Sequence, residues 1–278
     1  MNTLKVILLL SVLSGMLIVI GYLVARGAGV VIALVLSVLM NFGGYWFSDT
    51  IVLKMYNARP VAQAEAPGLY DAVADLSQKA QIPMPKVYVI ASDAPNAFAA
   101  GRNENHAAVA VTSGLLYLMS RNELEGVVAH ELSHIKHKDI LISTLAATVA
   151  GAVVLLSRWS VFFGSDEGGL LGAVAIAVIA PVAAALVQAA ISRSREYEAD
   201  AGSAAITGNP QALAAALLKL SAAGRQKPLQ ANPATAHLFI VNPLSGETIM
   251  SWFSTHPPIE KRVARLLAMQ SAGSGKRR

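Results

Sequence analysis

Four stretches without a single charged side chain decide most of what this 278-residue chain can become: Val6–Ala25, Gly27–Ser48, Ile140–Ser157 and Gly168–Ser192, of 20, 22, 18 and 25 residues. A helix rises about 1.5 Å per residue, so roughly 20 apolar residues cross a bilayer core. The remaining residues hold all 39 Asp, Glu, Lys and Arg, about one in five, close to soluble composition. The spacing predicts four membrane spans in two hairpins carrying a soluble part. The chain divides into a first hairpin (1–48; spans 6–25 and 27–48), a polar segment (49–139), a second hairpin (140–192; spans 140–157 and 168–192) and a final polar segment (193–278).

Hydrophobic residues make up 54% and charged residues 14%. These values exclude a disordered chain and argue against an ordinary cytosolic globule. There is no cysteine, which excludes a disulfide framework and thiolate chemistry. The net charge of +5 is not interleaved with aromatics, so no nucleic-acid partner is expected. The first hairpin loop holds only Arg26, and the second, Arg158–Glu167, one Arg and two acids; the other 20 of the 22 Lys and Arg lie in the N-terminal tail, in 49–139 or after 192. By the positive-inside rule, both polar segments face the cytoplasm.

Within the polar segments, Pro67–Gln81 has helical spacing, and Lys86–Ala91 and His106–Thr112 read as strands around a turn-rich stretch, 92–105. Ser120-Arg-Asn-Glu123 is a capping box. The helix it opens is expected to run through Lys138 straight into the third span. Pro210–Ala223 and Pro258–Gln270 read as helices, and Lys227–Thr255 as a loop or lid. The expected class is α+β, mainly α.

His130-Glu-Leu-Ser-His134 is the H-E-x-x-H pattern. On a helix, residues i and i+4 share a face, so both imidazoles reach one ion, and Glu131 can address a water on it. A catalytic zinc takes three protein ligands and keeps one position open. No further histidine follows at metal-ligand spacing, so the third ligand lies elsewhere. Glu196-x-x-x-Asp200 puts two carboxylates on one helical face: one can bind the ion and the other can accept the N–H of a ligand histidine. The bland alternative is a solvated juxtamembrane face made by Arg193, Arg195, Glu196, Glu198 and Asp200. Asp139, His106, His137 and His237 carry no comparable pattern and read as surface or local hydrogen-bonding residues.

Four motifs together resemble the HtpX/CAAX-endopeptidase family of membrane-bound zinc metalloproteases: Pro95-Asn-Ala-Phe-Ala-Ala-Gly101, His130–His134, Ser192-Arg-Ser-Arg-Glu-Tyr-Glu-Ala-Asp200 and Ser254-Thr-His-Pro-Pro258. The resemblance implies a zincin-like (gluzincin) protease domain integrated with four transmembrane helices. One Zn2+ per chain would be bound by His130, His134 and Glu196, with Glu131 as catalytic base. It places Asp200 and Arg193 around the ligands, and His256 beside the reacting centre. It also puts Asn96, Phe98, Ala108 and Val109 along the substrate cleft, where an edge strand holds an extended peptide by main-chain hydrogen bonds. The implied role is cleavage of unfolded or misfolded membrane proteins at the cytoplasmic side of the bacterial inner membrane, in quality control under stress. The alternatives are a CAAX-type prenyl protease and a non-catalytic, zinc-stabilised adaptor or holdase. The sequence sets no oligomeric state.

Overall fold

The computed structural model describes residues 2–146, 193–226, 238–240 and 257–275, without the side chains of several residues, among them Arg193. Most of the third expected span, the whole of the fourth, His237, His256 and nearly all of the expected lid lie outside the described residues. The chain opens with α1, Asn2–Met55, two helices joined at a break where Ala25 and Arg26 leave helical geometry and Arg26 takes φ +46. Charge and backbone thus break where the first hairpin loop is expected. The two arms cross closely at Gly21 and Gly29, where a Cβ on either would overlap the carbonyl of the other. Asn41 Nδ2 donates to Ser14 Oγ across the pair at 2.8 Å, as expected of small and polar residues holding apolar helices together. Of the 21 exposed large hydrophobics among the described residues, 17 lie on α1. Of the described helices, one stretch, Ala25–Met55, is long and apolar enough to cross a membrane.

The soluble part is built on a four-stranded sheet in the order β1-β2-β4-β3: β1 Arg59–Pro60, β2 Lys86–Ile90, β3 Ala97–Gly101 and β4 Ala107–Thr112. β2 and β4 run parallel, and β3 lies antiparallel to β4 with Phe98 opposite Ala110 and Ala100 opposite Ala108. Helices α2 (Pro67–Ala80), α3 (Ser113–Leu118), α4 (Arg121–Lys136), α5 (Arg193–Thr207), α6 (Pro210–Gln226) and α7 (Ile259–Gly275) complete it. Successive strand residues point to opposite faces. One face, with Val87, Ala97, Ala99, Val109 and Val111, packs on Leu76 of α2, Val127, Val128 and Leu132 of α4 and Leu213 of α6. The other face, with Ile90, Phe98, Ala100, Ala108 and Ala110, packs on Val52 and Leu53 at the foot of α1 and on Leu238 and Phe239. Because both faces are covered, β3 and β4 are buried at every position and show no apolar–polar alternation. That is why β3 reads as a turn in the sequence.

Two expectations are corrected here. α4 does not continue into the third span. It stops at Lys136, Lys138 takes the left-handed conformation (φ +59), and a helix restarts over 140–146. Ala108 and Val109 do not lie on an edge strand. β4 is paired on both sides, so its main-chain groups are consumed within the sheet, and the strand at that end of the sheet is β3.

Candidate metal centre

α4 begins with the predicted capping box: the Ser120 backbone N–H donates to Glu123 Oε2 at 2.8 Å, and so does its hydroxyl. Lys219 of α6 also donates to that oxygen at 2.8 Å. Burial would raise the Glu123 pKa, but these hydrogen bonds outweigh it and hold the carboxyl below its ordinary value. The cap fixes the start of a helix whose next turns carry His130, Glu131 and His134. α5 packs against it at close range. A Cβ on Gly202 would overlap Ser133 Oγ, and Ser203 Oγ donates to the Gly126 carbonyl at 2.8 Å. Small residues at this crossing are what bring Glu196 up to the two histidines.

The three donors converge. His130 Nε2 and His134 Nε2 are 3.2 Å apart, His134 Nε2 is 3.5 Å from Glu196 Oε1, and His130 Nε2 is 3.8 Å from Glu196 Oε2. Donors at zinc's usual bond lengths in a tetrahedron lie about 3.3–3.4 Å from one another, so the triangle has the size and the N, N, O chemistry of a zinc site. Among the described residues it is the one cluster of its kind. Glu131 lines the same small cavity, of about 30 Å³, with Ala99, His130, His134 and Glu196, roughly the room for one water.

Each histidine is backed by a carboxylate, and each carboxylate by an arginine. His130 Nδ1 lies 3.0 Å from Asp200 Oδ1, and Arg262 grips Asp200 with two donors, Nε to Oδ2 at 2.9 Å and Nη2 to Oδ1 at 2.7 Å. Burial pushes the His130 pKa down to about 4, against the pull of Asp200 and with the help of Arg262 and His134. Burial would raise Asp200, but His130 and Arg262 hold it at about 2. On the other side, His134 Nδ1 lies 3.5 Å from Asp139 Oδ2, and Arg195 Nε lies 3.3 Å from Asp139 Oδ1. Arg195 Nη2 reaches Ser143 Oγ at 3.4 Å. Burial opposes charge on His134, but Asp139, Glu196 and Glu131 outweigh it and raise its pKa.

The structure therefore brings together His130, Glu131, His134, Glu196 and Asp200. Asp139 corrects the surface reading: it is 4% exposed, because the break after α4 turns it back under His134, its N–H donating to the His134 carbonyl at 3.0 Å. Arg262 was missed. It is 0% exposed, and the signal was an arginine one turn from both Ile259 and Leu266 on the apolar stripe of the last helix. Ala99 was missed too, hidden in the apparent turn. Asn96 and Phe98 sit at the start of β3. Asn96 is tied to Thr112, and Phe98 faces away from the metal ligands, edge-on to Phe239 at 5.5 Å. Phe98 is thus a core residue. His106 and His137 make only local bonds in the described structure, to Asn103 and Ser133.

Comparison with known proteins shows the family. The profile of Peptidase family M48 matches residues 63–270. The protease HtpX homolog of Desulforapulum autotrophicum is 51% identical over 286 residues, covering 99% of this chain and 93% of that one. That of Syntrophobacter fumaroxidans is 53% identical, covering 94% and 97%, and that of Pyrococcus furiosus 52%, covering 93% of each. Among solved structures, the crystal structure of S. mikatae Ste24p aligns with a TM-score of 0.49 at 19% identity, over 83% of this chain and 56% of that chain.

Proposed function

This chain belongs to peptidase family M48 and is a membrane metalloendopeptidase, and from that premise we infer how its residues divide the work. His130, His134 and Glu196 hold one zinc ion; their donor triangle, with Glu131 on the same cavity, is the observation that carries this reading. Zinc in such a site polarises the scissile carbonyl and lowers the pKa of a bound water. The Glu131 carboxylate takes the proton of the attacking water and delivers it to the leaving amine nitrogen. Asp200 and Asp139 accept the Nδ1–H of His130 and His134, which leaves each Nε2 lone pair facing the site. His256 is assigned to the reacting centre as a donor to the developing oxyanion, and Arg193 to the surroundings of the ligands, on the resemblance of their motifs.

The substrate-binding assignment moves from Ala108 and Val109 to the β3 edge. The Thr112 N–H donates to the Asn96 carbonyl at 2.9 Å, which makes 96/112 a bonded pair. By alternation 98/110 and 100/108 also bond to each other, and residues 97, 99 and 101 turn their main-chain groups outward. Ala99 lines the catalytic cavity, so a substrate strand laid on this edge passes the metal ligands.

The further reading is a chain of four spans and two polar segments, divided as in the sequence, in the bacterial inner membrane. Its site faces the cytoplasm, and it acts on unfolded or misfolded membrane proteins in quality control under stress. The basic residues of both polar segments support that orientation, and the exposed apolar surface of α1 supports the bilayer partner. The test is zinc analysis beside cleavage of an unfolded membrane protein in detergent. One zinc per chain is expected, with cleavage lost to a chelator. Glu131→Gln should keep the metal and reduce cleavage to background; full proteolysis by that variant overturns the assignment.

A further inference from the structure

The edge of β3 is closed on both sides of Ala99. On one side, the Ile240 N–H donates to the Ala97 carbonyl at 3.3 Å, and the Ala97 N–H turns back to Asn96 Oδ1 at 3.1 Å. On the other side, the Gly101 N–H donates to Thr144 Oγ1 at 3.1 Å, and that hydroxyl donates to the Ile140 carbonyl at 2.6 Å. Ile240 is itself fixed, because Arg262 Nη1 donates to its carbonyl at 3.0 Å and Phe239 is wedged edge-on between Phe98 and Tyr56. Thr144 is one of the polar residues that sit oddly in the third apolar stretch. Here its hydroxyl consumes a strand N–H that a longer substrate would need. Among the described residues, Ala99 alone of the outward-facing residues of β3 has both main-chain groups without a partner.

Resting on the edge-strand reading above, we propose that Ile240 and Thr144 limit substrate recognition to a single main-chain rung at Ala99. Its N–H and C=O pair with the C=O and N–H of one substrate residue, while two residues away the Ala97 rung is taken at both groups and the Gly101 rung has lost its N–H. An unblocked edge would hold a peptide through residues at every second position. This edge selects a short stretch of accessible backbone with one free N–H and C=O, and it places no demand on extended pairing beyond it. The substrate class is a polypeptide locally exposed over a few residues, whatever its side chains.

The experiment is an N-methyl scan. The zinc-loaded full-length protein in detergent is given a cleavable peptide in which each backbone amide, from three residues before the cut to three after, is methylated in turn. The readout is relative kcat/KM by competition, with the scissile amide left unmodified. One position should lose about tenfold or more, the scale of a lost hydrogen bond with a stranded buried acceptor. Positions two residues to either side should stay within about threefold. Ile240→Pro removes the N–H that blocks Ala97, so it should create a second sensitive position two residues from the first. If that variant does not fold, the scan on the natural chain decides alone. Two or more sensitive positions at alternate residues in the natural protein overturn the single rung. No sensitive position overturns the use of this edge altogether, and absence of any cleavage by zinc-loaded protein counts against the peptidase reading instead.

Discussion

The two histidines of the candidate metal centre are supported by the same three-part device, an arginine holding a carboxylate that holds the imidazole, but the devices are built to different tolerances. At His130 the arginine–carboxylate–imidazole links are short and dry: 3.0 Å from His130 to Asp200, two arginine donors to Asp200 at 2.7 and 2.9 Å, and an Arg262 with no exposure. At His134 the contacts are 3.5 Å and 3.3 Å, the Arg195 side chain is 11% exposed and that of His134 15%. The first device ties four elements together, since Arg262 of α7 reaches Asp200 of α5, His130 of α4 and the Ile240 carbonyl. The second joins fewer: Arg195 of α5 reaches Asp139, in the break after α4, and Asp139 backs His134 of α4. Both histidines are therefore held by long-range partners, one tightly and out of solvent, the other more loosely and partly exposed.

The most damaging way to break this contrast is Arg262→Met. It strands the buried Asp200 carboxylate, and removing one partner of a buried ion pair costs about 3–5 kcal/mol. Thermal unfolding should show that loss, with zinc lost alongside it; a melting temperature unchanged within error would mean that Arg262 is not the keystone described. Asp200→Asn keeps the shape but no longer stabilises the His130 N–H bond as a carboxylate does, so zinc affinity should fall about 10–100-fold. Asp139→Asn tests the looser device, and its effect should be smaller, about tenfold or less. Equal losses in competition titrations with a chromophoric chelator would erase the distinction.

The smallest effect is a proton. In the metal-free protein His134 has a raised pKa and His130 one of about 4. A raised value means that the contribution of His134 to metal-free stability is full below the ordinary histidine value and is lost as pH rises through the folded one. Zinc needs the neutral ring. Binding near pH 6 should therefore release about one proton, drawn from His134 and not from His130. Calorimetry in buffers of different ionisation enthalpy reads it directly. Asp139→Asn, which removes the chief cause of the raised value, should reduce the release; an unchanged release would place the proton elsewhere.

The sequence displayed what depends on local spacing and concealed what depends on neighbours. H-E-x-x-H, the Ser120–Glu123 cap and the Glu196/Asp200 pair are set by positions three or four apart on one helix, and all appear as expected. β3 was invisible because Ala-Phe-Ala-Ala-Gly alternates nothing when both faces are covered. Asp139 looked like a surface acid because a helix was expected to run through it. The left-handed Lys138, tolerated there without glycine, turns the chain and brings the carboxylate under the histidine. Arg262 was concealed by its partner, which lies 62 residues away, a separation that no helical spacing bridges.

Between the last residue of α1, Met55, and the first residue of β1, Arg59, lie only Tyr56, Asn57 and Ala58, a tether that spans about 13–14 Å even when straight. Tyr56 is pinned there between Phe98 and Phe239, and Arg102 clasps Trp46, bonding its carbonyl at 3.1 Å and lying 4.5 Å from the centre of its ring. The blade is thus mounted on its post without a leash. With α1 in a bilayer, the cutting edge stays at one height above the lipid. If its substrates are the membrane proteins proposed above, such an enzyme would measure how far a strand has come loose from the membrane, a ruler set in ångströms and not in amino-acid letters.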